Sequence, residues 1–306
     1  IEEAVISVPA YFHDKQRVAV KRAGALAGIH VERIVNEPSA AALASYFTTN
    51  EEQNMLVFDF GGGTLDVSLV DCFDTMVEIV SVAGNNRLGG DDFDRLIAEH
   101  FLREHGVARQ QLRAREYAVL LKQAERCKKL LSEQEEVVMH AMVGDQVYES
   151  TYTMDRLFEE SKALLKEIRQ VIGRALKDGK MTIHDVDLVV MAGGSSKMPL
   201  IQKYIRHLFH KAPMVQGNCD ELIALGLGLV CGVKERKEEI KDYILTDICP
   251  FSLGVATINE ADPDRAYMAN IINRNTVLPC SRVRRFYTAS DQQDYVVVEV
   301  HQGENT

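Results

Sequence analysis

The stretch VFDFGGGTLDVSLV, residues 57–70, constrains the fold more than any other part of the chain. Two apolar runs flank three consecutive glycines, and Leu65, Val67 and Leu69 alternate with polar residues, which predicts a β-hairpin. One or two residues that tolerate positive φ are enough to reverse a strand. The surplus of glycine needs another cause, and glycine N–H groups can close around phosphate oxygens because no Cβ holds the ligand away.

Three polar side chains flank the glycines of this hairpin. Thr64 supplies a hydroxyl, while Asp59 and Asp66 could hold Mg²⁺ through its waters or orient an attacking water. The loop is not a Walker A motif, because no Gly-Lys-Ser/Thr follows it and a strand comes next. On its own it leaves two interpretations open, a phosphate-binding loop and a glycine-rich structural turn.

Composition excludes several classes of protein. With 306 residues and a net charge of −10, the chain is long enough for two domains, and nucleic-acid binding is not expected because phosphate backbones are held by Lys and Arg. No apolar run reaches about eighteen residues, so no membrane span is predicted. The six cysteines form no C-x-x-C pair, which predicts free thiols and a cytoplasmic location. Both ends fall inside or just after strand patterns, so we expect a fragment cut at both ends.

Strands and helices alternate over residues 1–240, which predicts an α/β domain. Asn36 is the predicted cap of the helix that begins NEPSAAALA. A charge run and the apolar patch YIL mark a boundary over residues 241–249, and a β domain is predicted to begin at residue 250. Its predicted strands are FSLGVATI, NTVLP, VRRFYT and YVVVEV, which are too few for an independent domain.

Two further glycine pairs lie near helix starts. Gly89 and Gly90 precede a helix with an acidic first turn, an arrangement that suits a bound anion or is simply an ordinary helix start. Gly193 and Gly194 lie between a strand and a helix, where open α/β sheets bind ligands. Neither pair is a dinucleotide fingerprint, because G-x-G-x-x-G is missing.

One helix face adds polar groups at helical spacing. Glu125, Lys128 and Ser132 share that face, either as an exposed charge pair or as contacts to a ribose or base. Together with the three glycine sites, they favour a nucleotide held between two lobes, with its phosphates in the hairpin loop.

The ordered motifs VPAYF, NEPSAAALA, VFDFGGGTLDVSLV, LGGDDFD, ERCKKLLS, AGGSSKMP and TDICPFSLGV resemble those of the DnaK-type, seventy-kilodalton heat-shock chaperones. Within this family, DYILTDICPFSLGV and INRNTVLPCSRV look most like the HscC branch. The resemblance implies an actin-like ATPase domain over residues 1–240, with part of lobe I and all of lobe II. An interdomain linker at 241–249 and the start of a peptide-binding β-sandwich at 250–306 would follow.

The resemblance also implies cofactors, partners and residue roles. The expected cofactors are ATP or ADP and Mg²⁺, and the expected partners are unfolded or extended client peptides, a J-domain co-chaperone and a nucleotide exchange factor. The implied catalytic residues, the first three of which would also organise Mg²⁺ through water, are Asp59, Asp66, Glu37 and Thr64. The implied nucleotide contacts are Gly61, Gly62, Gly63, Gly89, Gly90, Glu125, Lys128, Ser132, Gly193, Gly194, Ser195, Lys197 and Asp220.

Other residues match positions that connect the two domains. Pro9 and Arg17 match the family's coupling switch, Arg33 matches a position facing the J-domain partner, and Ile244 and Leu245 match the docking linker. Residues expected to line the peptide pocket are Ile258, Phe286, Ala289 and Val296.

The sequence departs from the family pattern in three ways. Lys197 replaces the arginine that stacks on adenine, and the loop NEADPDRAY is longer than in DnaK. The family's first phosphate loop and catalytic lysine would precede Ile1, so we expect weak or absent ATPase activity from this span alone. Two alternatives stay open at this stage, an actin-like small-molecule kinase and a non-catalytic nucleotide-binding or partner-binding fragment.

Overall fold

The computed structural model describes residues 1–49, 51–144, 146–215, 219–238, 240, 242–259, 262–288 and 290–304. Its helices are α1 (Asp14–Leu26), α2 (Glu37–Thr49), α3 (Gly90–Glu104), α4 (Ala114–Leu130), α5 (Met154–Asp178), α6 (Pro199–Phe209) and α7 (Leu222–Lys234). Its strands are β1 (Glu3–Val8), β2 (His30–Asn36), β3 (Gln53–Phe60), β4 (Leu65–Phe73), β5 (Met76–Asn85), β6 (Glu136–Val143), β7 (Gln146–Thr153), β8 (Leu188–Ala192), β9 (Ile244–Cys249), β10 (Leu253–Asn259), β11 (Asp262–Ile272), β12 (Thr276–Leu278) and β13 (Val300–Gln302).

A six-stranded sheet in the order β12-β9-β5-β4-β3-β8 forms the centre of the structure. The predicted hairpin supplies β3 and β4, which are antiparallel, and β8 runs parallel to β3. Alternate residues of β3 enter two separate cores, with Phe58 packing towards α3 and α5 and Val57 packing towards α2 and α7. Burial on both faces explains why β3 is almost continuously apolar.

Three smaller sheets surround this centre. Strands β1 and β2 pair in parallel, β6 and β7 form a hairpin between α4 and α5, and β11-β10-β13 form a three-stranded sheet. The predicted α/β class is confirmed. None of the described helices is long and apolar enough to cross a membrane.

Of the predicted C-terminal strands, one is wrong and another is shortened. The segment VRRFYT has no strand, and in YVVVEV only Val300 belongs to one, as the first residue of β13. Val296 and Val298 are 66% and 64% exposed. An alternating apolar pattern forms a strand only when a neighbouring strand accepts its hydrogen bonds, and sequence alone does not show that partner.

Helices α2 and α7 cross at a contact between small residues. A Cβ built on Gly226 of α7 would lie 1.9 Å from the carbonyl oxygen of Ala40 in α2, whereas a Cβ on Gly228 would meet nothing within 4 Å. The crossing therefore requires glycine at position 226 and tolerates a larger residue at 228.

We predict that Gly226→Ala lowers the free energy of unfolding by about 2 kcal/mol, because the helices must separate and lose packing. Gly228→Ala is the matched control and should be neutral or stabilising by up to about 1 kcal/mol, since alanine favours helix over glycine. Urea unfolding followed by circular dichroism measures both. Equal stability of the two variants would contradict the close approach at Gly226.

Candidate functional site

The first two glycine sites meet through their backbones. The N–H of Gly61 donates to the carbonyl of Thr64 at 3.0 Å, which closes the hairpin loop. The N–H groups of Gly90 and Asp91 donate to the carbonyls of Gly61 and Gly62 at 3.0 and 2.8 Å. A Cβ on Gly89 would lie 2.2 Å from the Gly62 carbonyl oxygen. Glycine at 89 is therefore required by this backbone contact.

The third glycine site joins the other two. Gly193 follows β8 with φ of +80°, and a Cβ there would lie 2.6 Å from the carbonyl oxygen of Phe60. A Cβ on Gly90 would lie 2.2 Å from the hydroxyl of Ser195. The structure thus brings together three glycine motifs, the third of which lies more than a hundred residues after the second.

Three carboxylates lie beside this junction. Asp59 and Asp66 are direct partners in the antiparallel register, which places both side chains on one face of the hairpin. Glu37 begins α2. Burial raises the pKa of Asp59 to about 6. Burial, followed by repulsion from Asp59, raises the pKa of Glu37 to about 7.

Asp66 is the most perturbed of the three. Burial, followed by repulsion from Asp59 and Glu37, raises its pKa to about 8. Its Oδ1 is buried and has no hydrogen-bond partner among the described residues. Buried carboxylates that repel one another are a chemical match for a divalent cation.

The carboxylates do not form a direct metal-binding cage. In the described part of the chain, no group of three His, Cys, Asp or Glu side chains is arranged to hold a metal ion. The arrangement therefore fits a cation bound through its water molecules, the coordination Mg²⁺ commonly keeps.

A cleft of about 650 Å³ lies next to the glycine junction, a volume suited to a nucleotide-sized ligand. It brings together eight predicted nucleotide contacts: Gly62, Glu125, Lys128, Ser132, Gly194, Ser195, Lys197 and Asp220. Gly61, Gly63, Thr64, Gly89, Gly90 and Gly193 are not part of this lining. They lie at the adjoining backbone junction.

The lysines of the cleft already contact protein groups. The amino group of Lys128 lies 2.8 Å from Asp94 Oδ1 and donates to the Gly90 carbonyl at 2.8 Å. Lys197 pairs with Asp220 across the cleft opening. Sequence analysis missed Asp94, although its position four residues after Gly90 on α3 places it on the helix face that carries the glycine.

Of the predicted coupling residues, Arg17 belongs to a connected polar network. Arg17 donates to Asn36 Oδ1 at 2.6 Å and to the Phe12 carbonyl at 3.0 Å. Asn36 Nδ2 donates to Asp247 Oδ2 at 2.6 Å, and Ser39 donates to the same oxygen at 3.1 Å. The Asn36 side chain, which the sequence predicts as a helix cap, therefore contacts β9.

The predicted linker is a strand in the central sheet. Ile244 and Leu245 pair in parallel with Met76 and Val77 of β5, and β12 pairs with the other edge of β9. Ile244 is 51% exposed, while the later Ile248 is buried. Pro9 follows β1 and accepts a hydrogen bond from Phe12, and Arg33 is exposed on β2.

The predicted peptide-pocket residues are not gathered into a buried site. Ile258, Phe286 and Val296 are 47%, 40% and 66% exposed, and Ala289 lies outside the described residues. The region after β9 instead contacts the α/β part through polar groups. Arg274 pairs with Asp178 at the end of α5 at 2.8 Å. This pair has no sequence pattern that identifies it in advance.

Comparisons with known proteins agree with this geometry. A family model described as Hsp70 protein matches residues 1–306. The chain is 37% identical to the stromal 70 kDa heat shock-related protein of Pisum sativum and 38% identical to the heat shock 70 kDa protein 7 of Arabidopsis thaliana, both chloroplastic, in each case over 99% of this chain. It is 38% identical, again over 99% of its length, to the chaperone protein dnaK of Cyanophora paradoxa. The chain spans 43%, 42% and 49% of these three relatives.

We predict that the unliganded protein loses stability as pH rises from about 4 to about 8, in buffer without divalent cations. The folded state keeps protons on its buried carboxyls that the unfolded state releases near pH 4. Each rise of one pH unit in this window therefore lowers the free energy of unfolding. Asp66→Asn removes the most perturbed carboxylate. At pH 8 its free energy of unfolding should exceed that of the wild type by more than about 1 kcal/mol, because one pKa unit equals about 1.4 kcal/mol.

The matched control is Glu99→Gln, which removes an exposed carboxylate from α3. It should keep the pH dependence of the wild type in urea titrations at pH 5 and pH 8. If Asp66→Asn also kept the pH dependence of the wild type, the surroundings of Asp66 would not destabilise its charged form in the folded state.

Proposed function

Because the chain belongs to the Hsp70 family, we propose that it is part of an ATP-driven molecular chaperone, in which nucleotide binding and hydrolysis control the binding of unfolded or extended peptides. Hsp70 proteins are chaperones and ATPases, and the three relatives above are named as heat-shock proteins or chaperones. An actin-like small-molecule kinase is not favoured by these similarities.

One observation supports the nucleotide-binding role above the others. Three glycine motifs meet beside Glu37, Asp59 and Asp66, and a cleft of nucleotide size adjoins them. Peptide N–H groups and a cation held by carboxylates can together neutralise a polyphosphate on a chain whose net charge is −10. A purely structural glycine turn needs no such group of buried carboxylates.

We assign roles to the residues of this site as part of the proposal. The N–H groups of Gly62 and Gly63 and the hydroxyl of Thr64 bind phosphate oxygens, while the Gly61 N–H keeps the loop closed on the Thr64 carbonyl. Asp59, Asp66 and Glu37 hold the waters of Mg²⁺, which when bound neutralises the charge that develops during phosphoryl transfer. One carboxylate with a pKa raised towards neutrality can also accept a proton from an attacking water.

The adenosine part is assigned to the cleft. Glu125 and Ser132 offer polar groups to the ribose, and Gly194, Ser195, Lys197 and Asp220 form the wall facing the base, beside Gly193 at the backbone junction. Lys128 acts mainly by fixing α4 to the Gly90 carbonyl, since its amino group is buried between Asp94 and that carbonyl. Lysine at 197 has no planar guanidinium for stacking, which weakens packing on the base.

The β9 strand supplies a route from the nucleotide to the C-terminal part. Glu37 begins α2 directly after Asn36, and Asn36 holds Asp247 of β9. A ligand that shifts Glu37 therefore also moves the polar network that holds β9 on the sheet. Coupling of this kind changes peptide affinity when nucleotide state changes.

Partners and location are also proposals. We propose a J-domain co-chaperone that contacts the exposed Arg33 face, together with client peptides bound near Ile258, Phe286, Ala289 and Val296 and a nucleotide exchange factor. A cytoplasmic location is proposed on the six free cysteines. Membership of the HscC branch stays a prediction.

We predict that Asp59→Asn and Thr64→Ala each reduce peptide-stimulated ATP turnover of the full-length protein by at least about a hundredfold, as loss of a preorganised charge-stabilising group does. Glu99→Gln is the surface control and should retain turnover. Single-turnover hydrolysis of labelled ATP measures the effect. Wild-type rates in both site variants would disprove the assignment of the hairpin loop.

We predict that the isolated 306-residue chain binds nucleotide weakly and turns over ATP little, since it spans less than half the length of the three relatives compared above. Calorimetry with ADP and ATP on this chain and on the full-length protein measures binding, and an assay of phosphate release measures hydrolysis. Robust hydrolysis by the isolated chain would contradict this prediction.

We predict that Asp247→Ala releases β9, because Asn36 and Ser39 lose their common acceptor. Amide hydrogen exchange of Leu245 and Thr246 should accelerate by at least about tenfold, equivalent to about 1.4 kcal/mol of local stability. Amides of β3 serve as the internal control. Unchanged exchange at β9 would show that backbone pairing alone holds the strand.

A further inference from the structure

A groove of about 580 Å³ lies between α5 and α6. None of the residues that line it lines the proposed nucleotide cleft. Its floor consists of apolar and aromatic side chains from both helices: Met154, Phe158, Leu165, Leu200 and Tyr204. Leu165 and Leu200 are buried, while the Phe158 ring is 44% exposed. The Tyr204 hydroxyl donates to the Leu165 carbonyl at 3.0 Å, so the two helices hold the floor in place.

Basic side chains line both edges of this groove. Lys162, Lys166 and Arg169 follow one face of α5, and Lys203 and His207 lie one turn apart on α6. Asp155 is the one acidic residue among the lining residues. The lining is thus strongly basic on a chain whose net charge is −10.

Three of these five basic side chains form no ion pair with the described residues of the protein. Lys162 pairs with Glu159, but Lys166, Arg169 and Lys203 make no ion pair with any described residue. Helix α6 contains no Asp or Glu at all. Cations that repel one another along a groove are complementary to an acidic ligand.

We propose that this groove is a docking site for an acidic amphipathic helix of a partner protein. The partner's apolar residues, spaced one helical turn apart, would pack on Met154, Phe158 and Tyr204, and its Asp and Glu residues would face the two basic edges. This site differs in chemistry from the proposed site for client peptides, which lies in the β part of the chain. It also does not depend on nucleotide binding.

The shape of the groove favours a helix over other anionic partners. The lining encloses a recess of about 580 Å³, and a flat lipid surface would contact its exposed edges without filling it. A nucleic acid needs phosphate contacts and gains nothing from an apolar floor. A helix is able to fill the floor and reach both edges at once.

The test uses the 306-residue chain and a fluorescent synthetic helix of about twenty residues, with Leu on one face and Glu on the other. Two matched probes carry Lys in place of Glu, or the same acidic composition with the Leu face scrambled. We expect fluorescence anisotropy to show binding of the acidic amphipathic helix at micromolar concentration and at least about tenfold weaker binding of both controls.

Two groove variants sharpen the result. The double substitution Lys166→Glu with Arg169→Glu reverses charge at exposed positions and should weaken binding at least about tenfold, and Phe158→Ala should weaken it about threefold or more. Lys177→Glu reverses an exposed charge on α5 outside the groove and should change binding less than about twofold. Circular dichroism confirms that each variant is folded.

Several results would overturn the proposal. These are no binding of the acidic helix at about a hundred micromolar, equal binding of the Lys probe, or undiminished binding by the charge-reversed double variant. Vesicles of anionic phospholipid and a single-stranded oligonucleotide are tested in parallel. Tighter binding of either one, lost in the double variant, would show that the groove serves a lipid surface or a nucleic acid instead.

Discussion

Mutual repulsion among Asp59, Asp66 and Glu37 is the constraint around which the central part of the structure is arranged. The register of β3 and β4 sets two of these carboxylates opposite each other, and the start of α2 brings the third close to them. Burial of like charges is unfavourable, and the pKa values of all three rise in response. Hydrophobic packing on both faces of β3 holds the pair in place despite that repulsion. A hydrated cation bound at this cluster would attract all three carboxylates and offset their mutual repulsion.

Local sequence was enough to predict the hairpin. Its glycines and its alternating residues are both short-range signals, and β3 and β4 occupy the expected residues. For Gly61, Gly89 and Gly193, the sequence predicted only that their three glycine sites lie near one nucleotide. Their backbone contacts depend on how α3 and β8 meet the hairpin, which no local pattern specifies. The contact of Gly89 with Gly62 shows that backbone packing by itself requires glycine at this position.

Other parts could not be predicted from local sequence because they depend on pairing at a distance. Sequence marks residues 241–249 as a boundary, and Ile244–Cys249 forms a strand of the central sheet between β5 and β12, where Asn36 donates to Asp247. Lys128 was predicted as a ligand contact, but its nearest groups are Asp94 and a carbonyl. Conversely, VRRFYT has strand composition and forms no strand, because composition does not specify a neighbouring strand.

The close crossing of α2 and α7 has a mechanical consequence. Ala40 is three residues after Glu37 and nine before Thr49, which at 1.5 Å per residue corresponds to about 4.5 Å and about 14 Å along the helix. If α2 rotates about its contact with Gly226, the far end of the helix moves about three times as far as the end that bears Glu37. No side chain of α7 separates the two backbones at this contact. The helix then acts as a lever with its short arm at the carboxylates.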